Sequence, residues 1–120
     1  MNIEEFGMVC LSQSCARENA PWADPRYQNL ITYTVAGKWF CLLNLETKAC
    51  LIKCRPDEVI ELQDRFMGIE PAWHMNKKHW IGLELKSDVP DDEIRRLVHQ
   101  AYSLVAARLT KSAKRAIGLL

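Results

Sequence analysis

Two imidazoles, an amide, two ammonium groups and an indole fall within the seven residues His74-Met75-Asn76-Lys77-Lys78-His79-Trp80. A histidine titrates near neutral pH and can act as acid, base or metal ligand. The five-residue spacing of His74 and His79 places them on opposite faces of a single strand, and across a tight turn their relation depends on register, so neither geometry dictates a shared site. Lys77 and Lys78 at a loop tip can meet phosphates while Trp73 or Trp80 stacks a base, the combination that single-strand binders use. The same residues also read as a solubilised loop, its lysines discouraging edge pairing and its tryptophans filling the core beneath. Lys38, Lys53 and Arg55 add charge if the strands that carry them present it on the same side.

Elsewhere the chain is poor in reactive patterns. No GxSxG, phosphate-cradling glycine loop or HExxH occurs, and there are only five glycines. Ser12 and Ser14 have no adjacent base. The five cysteines (Cys10, Cys15, Cys41, Cys50, Cys54) form an odd set in apolar surroundings, which reads as reduced thiols acting as small hydrophobes. Cys50 and Cys54 lack the spacing of a zinc knuckle and no second pair follows, so no metal or other cofactor is expected. Among the thiols, Cys54 is the one whose neighbours, Lys53 and Arg55, would lower its pKa. With sixteen basic and fifteen acidic side chains the net charge is +1, and a polyanion would have to be held by a local patch. Arg108 and Lys111 read as cations complementing the end of a helix dipole, and Asp91, Asp92 and Glu93 as acids at its start.

These groups must be positioned by a regular scaffold. Asn2 is a cap for an amphipathic helix over residues 3 to about 14. Residues 15 to 29, with Pro21, Pro25, Asn19, Asp24 and Asn29, read as a long surface loop. Ile31–Val35, Trp39–Leu45 and Cys50–Cys54 form three strands of an antiparallel meander, the second buried on both faces. Arg55-Pro56-Asp57-Glu58 starts a helix with Val59, Leu62 and Phe66 as its buried stripe, closed by Gly68. A short strand at Ala72–Met75 and a clearer one at Trp80–Leu85 pair through Asn76-Lys77-Lys78. Ser87 or Asp88 precedes a long helix carrying Ile94, Leu97, Val98, Ala101, Leu104, Val105 and Leu109 on one face. From Thr110 the tail is basic and frays. The expected architecture is α+β, two-layer, with an antiparallel sheet of about five strands in the order αβββαββα.

A chain of 120 residues that is 48% hydrophobic and 26% charged suits one domain over residues 1–120. Neither a signal peptide nor a membrane-length apolar run is read, and a cytoplasmic location is expected.

Taken together, Trp73 to Trp80 with Gly37-Lys38-Trp39-Phe40, Lys53-Cys54-Arg55-Pro56-Asp57-Glu58 and Ala101-Tyr102 resembles the MmcQ/YjbR family of small bacterial proteins. The HMNKxHW element is the specific part, and agreement runs from the first helix to about Leu109. The resemblance implies the same αβββαββα fold, similar in outline to type III secretion chaperones and the CyaY-like group. It also implies DNA binding through a double-wing motif, with no catalytic residues to carry over. Trp22-Ala23 replaces the family's phenylalanine-glycine pair, and Ala101-Tyr102 its serine-tyrosine. The resulting expectation is a non-enzymatic, DNA-binding module using Lys38, Lys53, Arg55, Asn76, Lys77, Lys78 and His79, beside a surface motif of Trp73, His74 and Trp80. The alternatives are a protein- or peptide-docking domain, and a small-molecule or catalytic site built on His74 and His79.

Overall fold

The computed structural model describes residues 1–20, 24–25 and 28–120. Pro21 and the Trp22-Ala23 substitution lie outside the described residues. Among those described, the elements run α1 (Ile3–Leu11), β1 (Ala16–Asn19), β2 (Leu30–Val35), β3 (Lys38–Asn44), β4 (Ala49–Lys53), α2 (Pro56–Arg65), β5 (Ile69–Pro71), β6 (Trp80–Glu84), α3 (Asp91–Ala106) and α4 (Lys111–Ala116). The fold is α+β. Its antiparallel sheet has six strands in the order β1-β2-β3-β4-β6-β5, one more than the sequence suggests.

The meander β2-β3-β4 forms where β-branched and aromatic residues concentrate. Ala36 and Gly37 both take positive φ, 49° and 77°, which suits the two-residue turn that returns the chain from Val35 to Lys38. Tyr33 faces Cys41 and Thr34 faces Trp39, leaving Phe40 as an extra residue without a partner. This bulge sends two consecutive side chains, Phe40 and Cys41, into the same core, where Phe40 meets the ring of Tyr102 edge-on at 5.6 Å. It also places Trp39 with Leu42 on the other side of the sheet.

The larger core lies between the sheet and the helices: Phe6 and Cys10 from α1, alternate residues of β2, β3, β4 and β6, Val59 and Leu62 from α2, and the buried stripe of α3. Asn2 caps α1 through a capping box in which its side chain accepts from the Glu5 N–H while the Glu5 carboxylate accepts from the Asn2 N–H. Tyr102 joins the apolar face read for α3 and donates its hydroxyl to the Ser14 carbonyl at 2.6 Å. A smaller cluster, Leu42, Leu51, Ala72 and Trp80, packs on the opposite face with half-buried Trp39, Trp73 and Met75.

Several boundaries differ from the sequence reading. Residues 16–19 are an edge strand rather than part of a loop, anchored where Asn19 Nδ2 donates to Thr34 Oγ1 at 3.2 Å. The strand expected at Ala72–Met75 lies earlier, at Ile69–Pro71, opposite Leu83, Gly82 and Ile81. Proline lacks the N–H that a continuing ladder needs, and His74 takes a left-handed φ of 58° that a strand does not accommodate. Helix α2 stops at Arg65 with Phe66 as its cap, so Gly68 does not close it. Asp88 instead accepts from the N–H groups of Met67 and Gly68, at 2.8 Å each, and α3 begins after Pro90 without a side-chain cap. The tail does not fray from Thr110: that residue caps the short helix α4, and Leu119 packs back on the core.

Candidate nucleic-acid interface

Sheet order decides which basic residues meet. The register Ile52 to Ile81 and Lys53 to Trp80 sets the end of β4 beside the start of β6, and the Cys54 N–H donates to the His79 carbonyl at 2.8 Å. On the other side of β4, Cys41 faces Ile52, so the start of β3 reaches the same end of the sheet. Adjacent strands lie about 5 Å apart. Lys38, Lys53, Arg55, Lys78 and His79 therefore come from three neighbouring strand ends. Helix α3 packs across β3 and β4, and the turn after it brings Arg108 and Leu109 to this end as well.

These cations differ in their availability. Arg55 forms a two-pronged ion pair with Asp57, Nε at 3.1 Å and Nη2 at 2.8 Å, within the first turn of α2. Lys77 turns its ammonium inward to the Ala72 carbonyl at 2.8 Å, fastening the ends of the loop between β5 and β6. Lys53 holds its ammonium over the Trp80 ring at 5.5 Å, a cation–π contact that leaves the charge uncompensated. Among the described residues, no carboxylate forms an ion pair with Lys38, Lys53, Lys78 or Arg108.

The loop over residues 72–79 is shaped by its own polar groups. Asn76 Oδ1 accepts from the Lys78 N–H at 2.9 Å and the Asn76 carbonyl from the His79 N–H at 3.1 Å, which turns the chain into β6. Trp80 is buried beneath this loop, only 6% exposed, and cannot offer a face to a base. Trp73 and His74, with rings 5.9 Å apart, line a different feature, an open groove of about 840 Å³ at the opposite end of the sheet. That groove mixes Lys48 and Lys86 with Glu4, Glu70 and Glu84, and His79 is not part of its wall.

At the basic end, a cleft of about 290 Å³ is lined by Lys38, Trp39, Lys53, Leu104, Val105, Arg108 and Leu109. Sequence reasoning nominated Lys38 and Lys53 but missed Trp39 and misplaced Arg108. Helix α3 ends at Ala106 with no basic residue in its last turn, so Arg108 and Lys111 do not complement its dipole from within it. Only the adjacency of Trp39 to Lys38 hinted at its position.

The thiols are free, and four of the five are buried. Contrary to the expectation from Lys53 and Arg55, the Cys54 thiol is pushed up to about 11, chiefly by burial and then by the Glu58 charge. Cys41 is raised well above its usual value by burial and by a hydrogen bond with Cys10. None of the described residues forms a cluster of three or more His, Cys, Asp or Glu fit to hold a metal ion. No helix among them is long and apolar enough to cross a membrane.

The YjbR family model matches residues 11–104. The chain belongs to the YjbR family. It is similar to the uncharacterized protein YyaQ of Bacillus subtilis, 31% identical over 100 residues that cover 70% of this chain and 80% of YyaQ. It is also similar to the uncharacterized protein YbdF of Escherichia coli O157:H7, 29% identical over 82 residues, or 66% of each chain. Among solved structures, the Deinococcus radiodurans protein DR2400 superposes with a TM-score of 0.85 at 24% identity, covering 99% of this chain and 89% of its own. A Pseudomonas syringae protein superposes at 0.72 with 24% identity, covering 87% and 98%. At these identities the two structures establish the shared YjbR fold.

Proposed function

We propose that this YjbR-family chain is a non-enzymatic DNA-binding module whose contact surface is the sheet end carrying Lys38, Lys53, Lys78 and Arg108. The observation that carries the proposal is the convergence of four uncompensated cations from β3, β4, the loop into β6 and the turn after α3. Phosphates are the partners such a patch suits, because each neutralised phosphate releases a condensed counterion. A near-neutral chain then binds through a local field, and long-range steering is weak. Arg55 is a secondary contact, since Asp57 already shares its charge, while Asn76, Lys77 and His79 shape the loop that presents Lys78.

The direct test is fluorescence anisotropy with labelled single- and double-stranded DNA at low salt. Binding that weakens as salt rises, and is lost when Lys38, Lys53 and Lys78 are changed together to alanine, supports the reading. Absence of binding to either form at low salt, or binding indifferent to those changes, refutes it.

A second reading, peptide docking, is favoured by the groove beside Trp73, whose opposite charges flank an apolar wall. If the triple lysine variant pulls down the same peptide partners as the parent while neither binds DNA, that reading takes precedence.

A further inference from the structure

Charge alone would attract any polyanion, but the cleft at the basic end has a shape as well. Three cations, Lys38, Lys53 and Arg108, surround a concavity whose walls include the Trp39 indole and the side chains of Leu104 and Leu109. Its volume of about 290 Å³ lies at the lower edge of small-ligand sites, roughly 300–1,000 Å³. Among the described residues, no carboxylate lines it. A site that combines three cations with aromatic and aliphatic side chains suits a ligand with one anionic group and one flat apolar body.

We infer that this cleft seats one unpaired nucleotide, its phosphate held by Lys38, Lys53 and Arg108 and its base against Trp39 and Leu104. The inference rests on the DNA-binding reading and makes it specific. A base stacked within a duplex cannot enter a concavity of this size, whereas an unpaired base can stack on an aromatic wall. The chain therefore prefers single strands, gaps or frayed ends over continuous duplex. Trp80, named from the sequence as a stacking residue, is buried behind the loop and supplies instead the ring over which Lys53 rests.

The experiment compares a labelled oligothymidylate with a hairpin duplex of equal length, using the full chain and anisotropy at fixed low salt. The single strand is expected to bind at least tenfold more tightly. Trp39→Ala should weaken the single strand about tenfold or more and leave the duplex within twofold, and Trp39→Phe should restore most of the loss. Trp39 also packs on the smaller core, so Leu104→Glu provides a second variant at a half-buried helix position. Its added carboxylate beside Arg108 should abolish the single-strand preference in a protein whose thermal transition is retained. Equal affinity for strand and duplex, or single-strand binding that survives both Trp39→Ala and Leu104→Glu, overturns the nucleotide pocket. If duplex binding in that case still falls with Lys38→Ala and Lys53→Ala, the broader DNA reading stands. If neither probe binds the parent protein, both fall.

Discussion

Removing Lys53 and removing Lys77 should have opposite weight, although both lysines lie beside the same loop. Each phosphate neutralised on duplex DNA contributes about −0.9 to the slope of log affinity against log salt, and about −0.7 on a single strand. Four uncompensated cations, Lys38, Lys53, Lys78 and Arg108, each meeting its own phosphate, predict a slope of about −3.6 on duplex; on a single strand, where Lys38, Lys53 and Arg108 share one phosphate and Lys78 meets a second, the slope should be about −1.4. Between about 50 and 200 mM salt the affinity should fall about 150-fold or about 7-fold, respectively. On duplex, Lys53→Ala should reduce the slope by roughly one phosphate's share. Lys77→Met should change it less, because the Ala72 carbonyl holds that ammonium inward, out of reach of a phosphate. Asp57→Asn should act in the reverse sense: it releases Arg55 from its ion pair and should steepen the slope and raise affinity. The assay is a salt titration of anisotropy for each variant, with circular dichroism melts to verify folding. If Lys77→Met lowers the slope as much as Lys53→Ala, or Asp57→Asn weakens binding, the assignment of available charges is wrong.

Three further outcomes follow from packing and ionisation. Gly68→Ala should destabilise by about 1–3 kcal/mol in urea denaturation through overpacking, because a Cβ there would lie 2.0 Å from Ser87 Oγ and 2.4 Å from its Cβ. Ser87→Gly, not Ser87→Ala, should recover most of that loss in the double variant. Burial raises the Glu58 carboxyl, but the hydrogen bonds from Gln100 and Arg96 outweigh it, leaving the pKa below the ordinary 4.5. A depressed folded-state pKa gives stability that is present above about 4.5 and lost as pH falls through the lower value, so Glu58→Gln should flatten the acid limb of a stability–pH curve. Native protein at neutral pH should react with a thiol reagent at Cys15 alone, with the remaining cysteines appearing only in denaturant; rapid modification of Cys54 in the native state would contradict its burial.

The meander, α2 and α3 were legible because their residues obey local rules: β-branched runs, Pro56 ahead of acids, and an apolar stripe at helical spacing. Strand β1 was not, because Ala16-Arg17-Glu18-Asn19 carries no strand preference; it is extended because β2 offers an open row of backbone groups. The Trp73–Trp80 segment marked an important loop, but its residues split between two ends of the sheet, and Lys77 serves the loop rather than a partner. The cleft escaped sequence reading for a simpler reason. Residues 38–39, 53 and 104–109 meet only through strand order and the docking of α3, and nothing in their local neighbourhoods encodes that meeting.

The unpartnered Phe40 gives β3 a phase shift whose reach extends beyond its own position. Strand residues alternate sides strictly, so a regular ladder through the same residues would set Phe40 opposite Thr34 and Trp39 opposite Val35, exchanging inside for outside in everything that precedes Cys41. Trp39 would be driven in among the helices and Lys38 carried to the reverse side. A one-residue slip in pairing would thus erase the cleft while leaving the rest of the sheet in place, so the bulge at Phe40 constrains this surface as firmly as the identity of its lysines.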